Sequence, residues 1–287
     1  MKLTARWSKL KLRRMIAITP KTRPITAMEA DRFQTDGVVH LKGFFDPEWL
    51  DLLRERADHV LANPGKLANE LAQDKENGRF FSDTFLWHQH DGFRDFIHNS
   101  PAAEIVAGVL GSTKVNIIFD QFLIKEPGTD EPTVWHHDLT YWPVKGRQVV
   151  TLWLALDPVT EETGSMEFVK GSHLWGQRYR PVAFVDPTKY QTPEPPVPDI
   201  NARRDEFEFT RFDYEPGDCT IHHGLLVHAA GGNKSQEQRR RAYVTRWAGD
   251  DVVYDPRPNI QTMLWEPPMA AGAPLDSDLW PVVWQAP

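Results

Sequence analysis

Cysteine is nearly absent: Cys219 is the only one in 287 residues. No intrachain disulfide is possible, and a reduced, cytoplasmic setting is expected. Cys219 sits in an apolar strand context and reads as an inert core thiol. No apolar run approaches the ~18 residues of a membrane span, so none is expected. An internal repeat and a convincing domain boundary are lacking too. Residues 1–28 contain no acid, only eight bases: Lys2, Arg6, Lys9, Lys11, Arg13, Arg14, Lys21 and Arg23. Within an overall charge of −7, this leaves 25 bases against all 40 acids, a net of −15. So acidic a body is a poor partner for nucleic acid. The basic start lacks the apolar centre of a secretory signal. It matches an Arg-rich organelle presequence, and equally a disordered extension or a start upstream of Met15. Residues 29–287 read as one domain. Composition leaves the oligomeric state open.

The chain is rich in tryptophan, with eleven, ordinary material for a well-packed β-rich core. Residues 37–41 read as a strand. Asp46-Pro47 then supplies an N-cap and a proline at the first helical position. Trp49, Leu50, Leu53, Ala57, Val60 and Leu61 follow at helical spacing, and Asn63-Pro64-Gly65 ends that helix. Ser100-Pro101 starts a second helix, which stops at Gly111. From about Lys114 the pattern changes to short strands at 115–125, 149–156, 165–169, 207–212, 218–222 and 241–248. The expected fold is mainly β with flanking helices, around a sandwich or jelly-roll core. Residues 186–200 hold five prolines, so they form an irregular insert, read as a lid. The tail after Asp250, with Trp265, Trp280 and Trp284, is expected to wrap the barrel in extended form.

The chemistry concentrates in Trp135-His136-His137-Asp138, answered by His228, which lies 92 residues beyond His136. Alternate residues of a strand share a face. His136 and Asp138 would then project together, with His137 turned away. Two imidazoles and one carboxylate are the ligand set of a non-haem iron(II) site that keeps positions open for cosubstrate and oxygen. A lone His-X-Asp is weak. The turn-rich Ala229–Asn233 after His228, the tight turn Glu215-Pro216-Gly217-Asp218 before it, and Arg239-Arg240-Arg241 beyond it strengthen the reading. A buried carboxylate cosubstrate needs a guanidinium to fix its plane.

These pieces resemble the phytanoyl-CoA dioxygenase family of iron(II)/2-oxoglutarate-dependent oxygenases. The match comprises Trp135-His136-His137-Asp138 with Tyr141 and Pro143, and then Leu152-Trp153-Leu154-Ala155-Leu156-Asp157. Thr163-Gly164-Ser165-Met166, Gly171-Ser172-His173 and Pro216-Gly217-Asp218 follow. His228, Asn233 and Arg240-Arg241-Ala242 complete it. Order and spacing agree over residues 34–248. The resemblance implies a double-stranded β-helix, cupin-like, with Fe(2+) and the cosubstrates 2-oxoglutarate and O2. It places the metal triad on His136, Asp138 and His228, and the cosubstrate anchor on Arg240, with Arg239 as fallback because the loop from His228 is one residue longer than is common in the family; strand parity sets the two arginines on opposite faces. Gln121 and Trp153 fall at positions lining the 2-oxoglutarate pocket, and Lys125 at a nearby lysine of the pattern. His137 replaces the family's usual Gln, with an effect expected in the outer shell. The implied reaction is hydroxylation of a C–H bond of a small-molecule metabolite, releasing succinate and CO2. Desaturation, epimerisation or ring formation on a natural product would use the same ligands. Asp138 itself argues against halogenation, because related halogenases replace that carboxylate with a small residue.

Other residues are weaker. Tyr141 and Trp142 are substrate-wall candidates, Trp142 equally core; Phe81 and Trp87 rank below them. Of the adjacent pair, His223 reads as structural and His222 as the one that could face the pocket. His88 and His90 lack a carboxylate partner and read as surface or rim. His173 reads as a hydrogen-bonding turn residue, and Arg246 as a rim salt bridge before an anion binder. Competing readings are a cupin-like metal protein without 2-oxoglutarate chemistry, a non-enzymatic scaffold, and an enzyme of another metal such as zinc.

Overall fold

The computed structural model describes residues 23–72, 78–182, 192–258 and 260–287. Thr26 opens the first helix, α1 (Ala27–Asp36), through a capping box with Glu29. Gly37 closes it in the left-handed region at φ 82°. The folded body therefore reaches back into the basic segment assigned to 1–28: Ile25 packs against the main core. Only residues 1–22 of that segment lie outside the described residues. Strand β1 (Val38–Leu41) follows, then α2 (Pro47–Ala62). Pro47 sits in the first turn as expected, but Asp46 makes no side-chain cap. Trp49, Leu50, Leu53, Ala57 and Val60 are the buried stripe of α2.

Next come β2 (Asn69–Glu70), β3 (Phe80–Thr84), α3 (Leu86–Gln89), α4 (Asp91–Asn99) and α5 (Ala102–Leu110). The remaining strands are β4 (Lys114–Lys125), β5 (Thr133–His136), β6 (Val144–Lys145), β7 (Val149–Ala155), β8 (Met166–Val169), β9 (Phe209–Arg211), β10 (Cys219–His223), β11 (His228–Ala230), β12 (Arg240–Ala248), β13 (Val253–Tyr254) and β14 (Val282–Gln285). The large sheet runs β1-β10-β7-β12-β4-β3-β2, with β14 added beside β4. A smaller sheet runs β5-β11-β8-β9. The two sheets make the jelly roll that the strand pattern anticipates. Residue alternation divides the large sheet between two environments. Leu152, Leu154, Ile221, Tyr243 and Trp247 face the helices in one apolar core. Thr151, Trp153, His222, Val244 and Arg246 face the barrel interior.

Two turns deserve their glycines. Gly217, at φ 94°, closes the turn before β10, where an added Cβ would meet the Phe45 carbonyl at 2.9 Å. Gly164, at φ 86°, lies against Gly231, whose carbonyl an added Cβ would meet at 2.6 Å. In the tail, Trp280 is buried and β14 pairs with β4. Of the Pro-rich insert, 186–191 falls outside the described residues, and 192–200 contains neither helix nor strand. Among the described residues no helix is long and apolar enough to cross a membrane.

One charge is buried on the helix side. The Asp120 carboxylate accepts hydrogen bonds from the Tyr243 hydroxyl (2.6 Å) and the Trp87 amide (3.0 Å). Burial outweighs these bonds and pushes Asp120 up to about 6. The native state then holds a proton that the unfolded chain, titrating near 4, has already lost. Stability contributed by this group is present below about pH 4 and falls as pH rises to about 6, by about 3 kcal/mol. Urea unfolding of Asp120→Asn across that window should lack this component. Parallel pH profiles for the two proteins would mean that Asp120 is already ionised in the fold.

Candidate metal centre and cavity

β5 and β11 are neighbours, and their register sets His136 directly opposite His228. Side chains at directly opposed positions share a face, so both imidazoles enter the barrel together, with ring centroids 4.3 Å apart. The Nδ1 atom of His136 lies 2.8 Å from the Val134 carbonyl, and that of His228 lies 2.9 Å from the Leu226 carbonyl. A carbonyl only accepts, so each Nδ1 carries the proton and each Nε2 presents its lone pair. Burial and the neighbouring His136 hold His228 well below the usual imidazole range, which keeps it neutral.

Asp138 is not on the strand. β5 ends at His136, and Asp138 opens a 3-10 turn, Asp138–Tyr141. His137 is still extended, so the expected alternation survives for one more step and turns Asp138 inward. The turn is pinned where the Leu139 amide donates to the Gly224 carbonyl at 2.7 Å. Asp138 Oδ1 lies 3.5 Å from His136 Nε2 and 3.9 Å from His228 Nε2. Its Oδ2 accepts from the Thr151 hydroxyl at 2.6 Å and faces His222 Nε2 at 3.3 Å. Burial works against the charge, but the surrounding imidazoles of His136, His222 and His228 hold Asp138 well below the usual carboxylate range. One donor atom from each of His136, Asp138 and His228 lies within 4.8 Å of the others. Two imidazoles that turn Nε2 inward and a carboxylate with its other oxygen tied back fit a divalent ion of the non-haem iron type.

The donors open into a cavity of about 580 Å³. Gln121, Trp153, Arg240, Tyr141 and Trp142 all line it. Arg240 is buried, with its Cζ 5.7 Å from the centre of the Trp153 ring. Burial lowers it to about 10, still a cation at neutral pH. Among the described residues it makes no ion pair, and its Nε has no partner. Parity separates the arginines as anticipated. Arg239 turns out to Glu126 (2.8 Å) and Asp58 (3.0 Å), and Arg241 to Asp157 (2.7 Å). Asn233 sets this register. Its side-chain amide donates to the carbonyls of Lys125, Glu126 and Gln238, gathering the loop ahead of β12.

The remaining candidates divide between places expected and not. Lys125 does not line the cavity. Its ammonium donates to the carbonyls of Glu131 (2.8 Å) and Gly231 (2.7 Å), beneath the Phe80 ring. Phe81 and Trp87 belong to the helix-side core, and Phe80 supplies the wall instead. His137 leaves the metal side altogether: its Nε2 accepts from the Tyr179 amide at 2.7 Å. Trp142 is both wall and core, packing edge-on to Phe119 at 5.8 Å. The Tyr141 hydroxyl bonds the backbone of Val182. His173 bonds the Gln34 carbonyl at 3.1 Å and stacks near His223, away from the cavity. His88 and His90 do not line the cavity; His88 is half-buried between Trp87 and Trp265. Arg246 has no salt bridge among the described residues and does not lie at a rim. It is buried, and its guanidinium donates to Gln121 Oε1 at 2.6 Å. Thr151, Ser82 and Thr84 went unread in the sequence. Thr151 was detectable only through its register with His222 across β7 and β10.

A family model described as phytanoyl-CoA dioxygenase (PhyH) matches residues 33–242. The phytanoyl-CoA dioxygenase domain-containing protein 1 of Danio rerio is 22% identical over 283 residues, covering 83% of this chain and 95% of that protein. The multifunctional dioxygenase prhA of Penicillium brasilianum is 26% identical over 227 residues, covering 73% of this chain and 68% of its own. Among solved structures, the non-heme alpha ketoglutarate dependent carbocyclase SnoK from nogalamycin biosynthesis superposes with a TM-score of 0.73 at 21% identity, over 91% of this chain and 98% of that one. The epimerase SnoN, solved with Fe3+, alpha ketoglutarate and nogalamycin RO, superposes with a TM-score of 0.72 at 24% identity, over 89% and 97%.

If Thr151 positions Asp138, Thr151→Val should weaken binding of iron(II) or cobalt(II) by about ten- to a hundredfold. Anaerobic metal titration measures this. An unaltered affinity would relieve Thr151 of that role.

Proposed function

The chain belongs to the phytanoyl-CoA dioxygenase family, and from that premise we propose that it is an iron(II)/2-oxoglutarate-dependent dioxygenase that hydroxylates a C–H bond of a small molecule. One observation carries the reading: a buried His, Asp, His cluster shares its cavity with a buried guanidinium, Arg240, that makes no ion pair among the described residues. His136, Asp138 and His228 would hold the iron. Once bound, iron(II) with 2-oxoglutarate and O2 supplies the oxidising power for the C–H bond and releases succinate and CO2.

The rest is work for the protein. Val134 and Leu226 hold the two imidazoles in the ligating tautomer. Thr151 and His222 hold the carboxylate. Arg240 offers two parallel N–H donors to the far carboxylate of 2-oxoglutarate, with Trp153 against its face. Lys125 supports this end from behind, by tying the backbone at Glu131 and Gly231. Phe80, Phe119, Leu123, Trp142, Met166 and Val244 give the cavity apolar walls that exclude water. Asp138 fills the position that a halide would need, which favours transfer of oxygen. Epimerisation or ring formation is the second reading, because the two structural neighbours named above are an epimerase and a carbocyclase.

Succinate release, screened over candidate compounds with iron(II) and 2-oxoglutarate, is the direct test. Asp138→Ala should abolish it, and full turnover in that variant would remove Asp138 from the mechanism. Arg240→Ala should raise the 2-oxoglutarate requirement by about tenfold or more, the cost of a charge-assisted pair. Arg239→Ala should leave it unchanged. The reverse pattern would move the anchor to Arg239.

A further inference from the structure

Arg246 is a second buried cation in the same cavity, and the cofactor reading gives it no counter-ion. Its Cα lies opposite Thr151 across β12 and β7, the residue that holds Asp138. It is therefore level with the triad, whereas Arg240 enters six residues earlier on the same face, roughly 20 Å along the strand. A register break in the β12–β4 pairing falls between Arg246 and Trp247. Such bulges re-aim side chains beside functional sites. The Arg246 Cζ sits 4.7 Å from the centre of the Phe119 ring, and Phe119 packs on Trp142. One nitrogen donates to Gln121 Oε1 (2.6 Å) and another to the Val244 carbonyl (3.3 Å). Both acceptors are neutral. The Nε has no partner among the described residues. No ion pair to Arg246 occurs among the described residues, although Asp138 and Asp120 are near enough to favour its charge.

Charge balance then decides. Among the described residues, Lys66, Arg240 and Arg246 are the lysines and arginines lining the cavity, and Asp138 is the one carboxylate. With a divalent ion and a doubly charged cosubstrate in place, Asp138, Arg240 and those two groups cancel. Lys66 and Arg246 are left over; Lys66 is exposed to solvent, whereas Arg246 is buried and positive. A buried charge without a counter-ion costs several kcal/mol. We propose that Arg246 receives a carboxylate on the primary substrate, whose carbon skeleton lies against Phe119 and Trp142. The substrate class is thus a small monocarboxylic acid with an apolar body. This rests on the iron and 2-oxoglutarate reading, and one experiment separates the two.

The protein is loaded anaerobically with iron(II) and 2-oxoglutarate. The visible charge-transfer band of that complex reports cosubstrate binding. Benzoate, phenylacetate, cinnamate and 4-phenylbutyrate are then titrated against their primary amides, with tryptophan fluorescence as the readout, since Trp142 and Trp153 line the cavity. At least one acid should bind about tenfold or more tightly than its amide, the value of a charge-assisted bond. Arg246→Gln should erase that preference, and Arg246→Lys should keep part of it. The 2-oxoglutarate affinity read from the band should hold in both variants. Equal binding of acids and amides by the wild-type protein, or no binding of any acid, overturns the proposal without recourse to a variant. So does a loss of 2-oxoglutarate affinity in Arg246→Gln, which would assign Arg246 to the cosubstrate. A wild-type protein that develops no band sinks the iron and 2-oxoglutarate reading itself.

Discussion

A carboxylate at the centre of a barrel must be held on every side, and Asp138 is held from the sheet opposite its own. It follows β5 of the small sheet. Thr151 and His222, which fix its Oδ2, are cross-strand partners on β7 and β10 of the large sheet. This contact joins the two halves of the jelly roll at the point where the imidazoles converge. It also chooses which oxygen faces His136 and His228. Without it, a buried anion would either take up a proton or swing away. Metal affinity, the separation of the two sheets and the shape of the cavity all pass through that carboxylate.

The same cavity concentrates positive charge. Arg240 and Arg246 are each deeply buried and pulled down to about 10 by desolvation, yet both remain cations at neutral pH. Among the described residues neither makes an ion pair, while their neighbours Arg239 and Arg241 take up Glu126, Asp58 and Asp157. The fold thus spends its surface acids on the outward arginines and leaves the inward ones for ligands. A protein of net charge −7 keeps a positive interior in this way, suited to drawing in anions.

Some features were legible because they follow from local rules. The short strands, α2 with its buried stripe and the glycine stop of α5 are consequences of residue period and backbone freedom. Helices α1, α3 and α4 stand outside the expected elements. The local rule for α1 is a capping box, Thr26 with Glu29, at the end of the basic segment. β3 carries Ser82 and Asp83 among its five residues and reads as polar, because its partners lie outside its own sequence. Lys125 and Arg246 look equivalent as sequence, since each is a base at the end of a strand face. Only packing sends one to backbone carbonyls and leaves the other in the cavity.

By itself, the amino-acid order determined the ligand types, their sequence separation, the alternation that turns His137 away from His136 and Asp138, and the parity that sets Arg240 apart from Arg239. These depend on chain periodicity, which any reader of the sequence has in hand. Tertiary structure alone decided that His136 stands opposite His228, that Thr151 and His222 clasp Asp138, and that Arg246 is a buried cation without an ion pair among the described residues. Each of those facts is a pairing between strands far apart in sequence. Register across a sheet, and charge compensation inside a barrel, exist only once the chain has closed on itself.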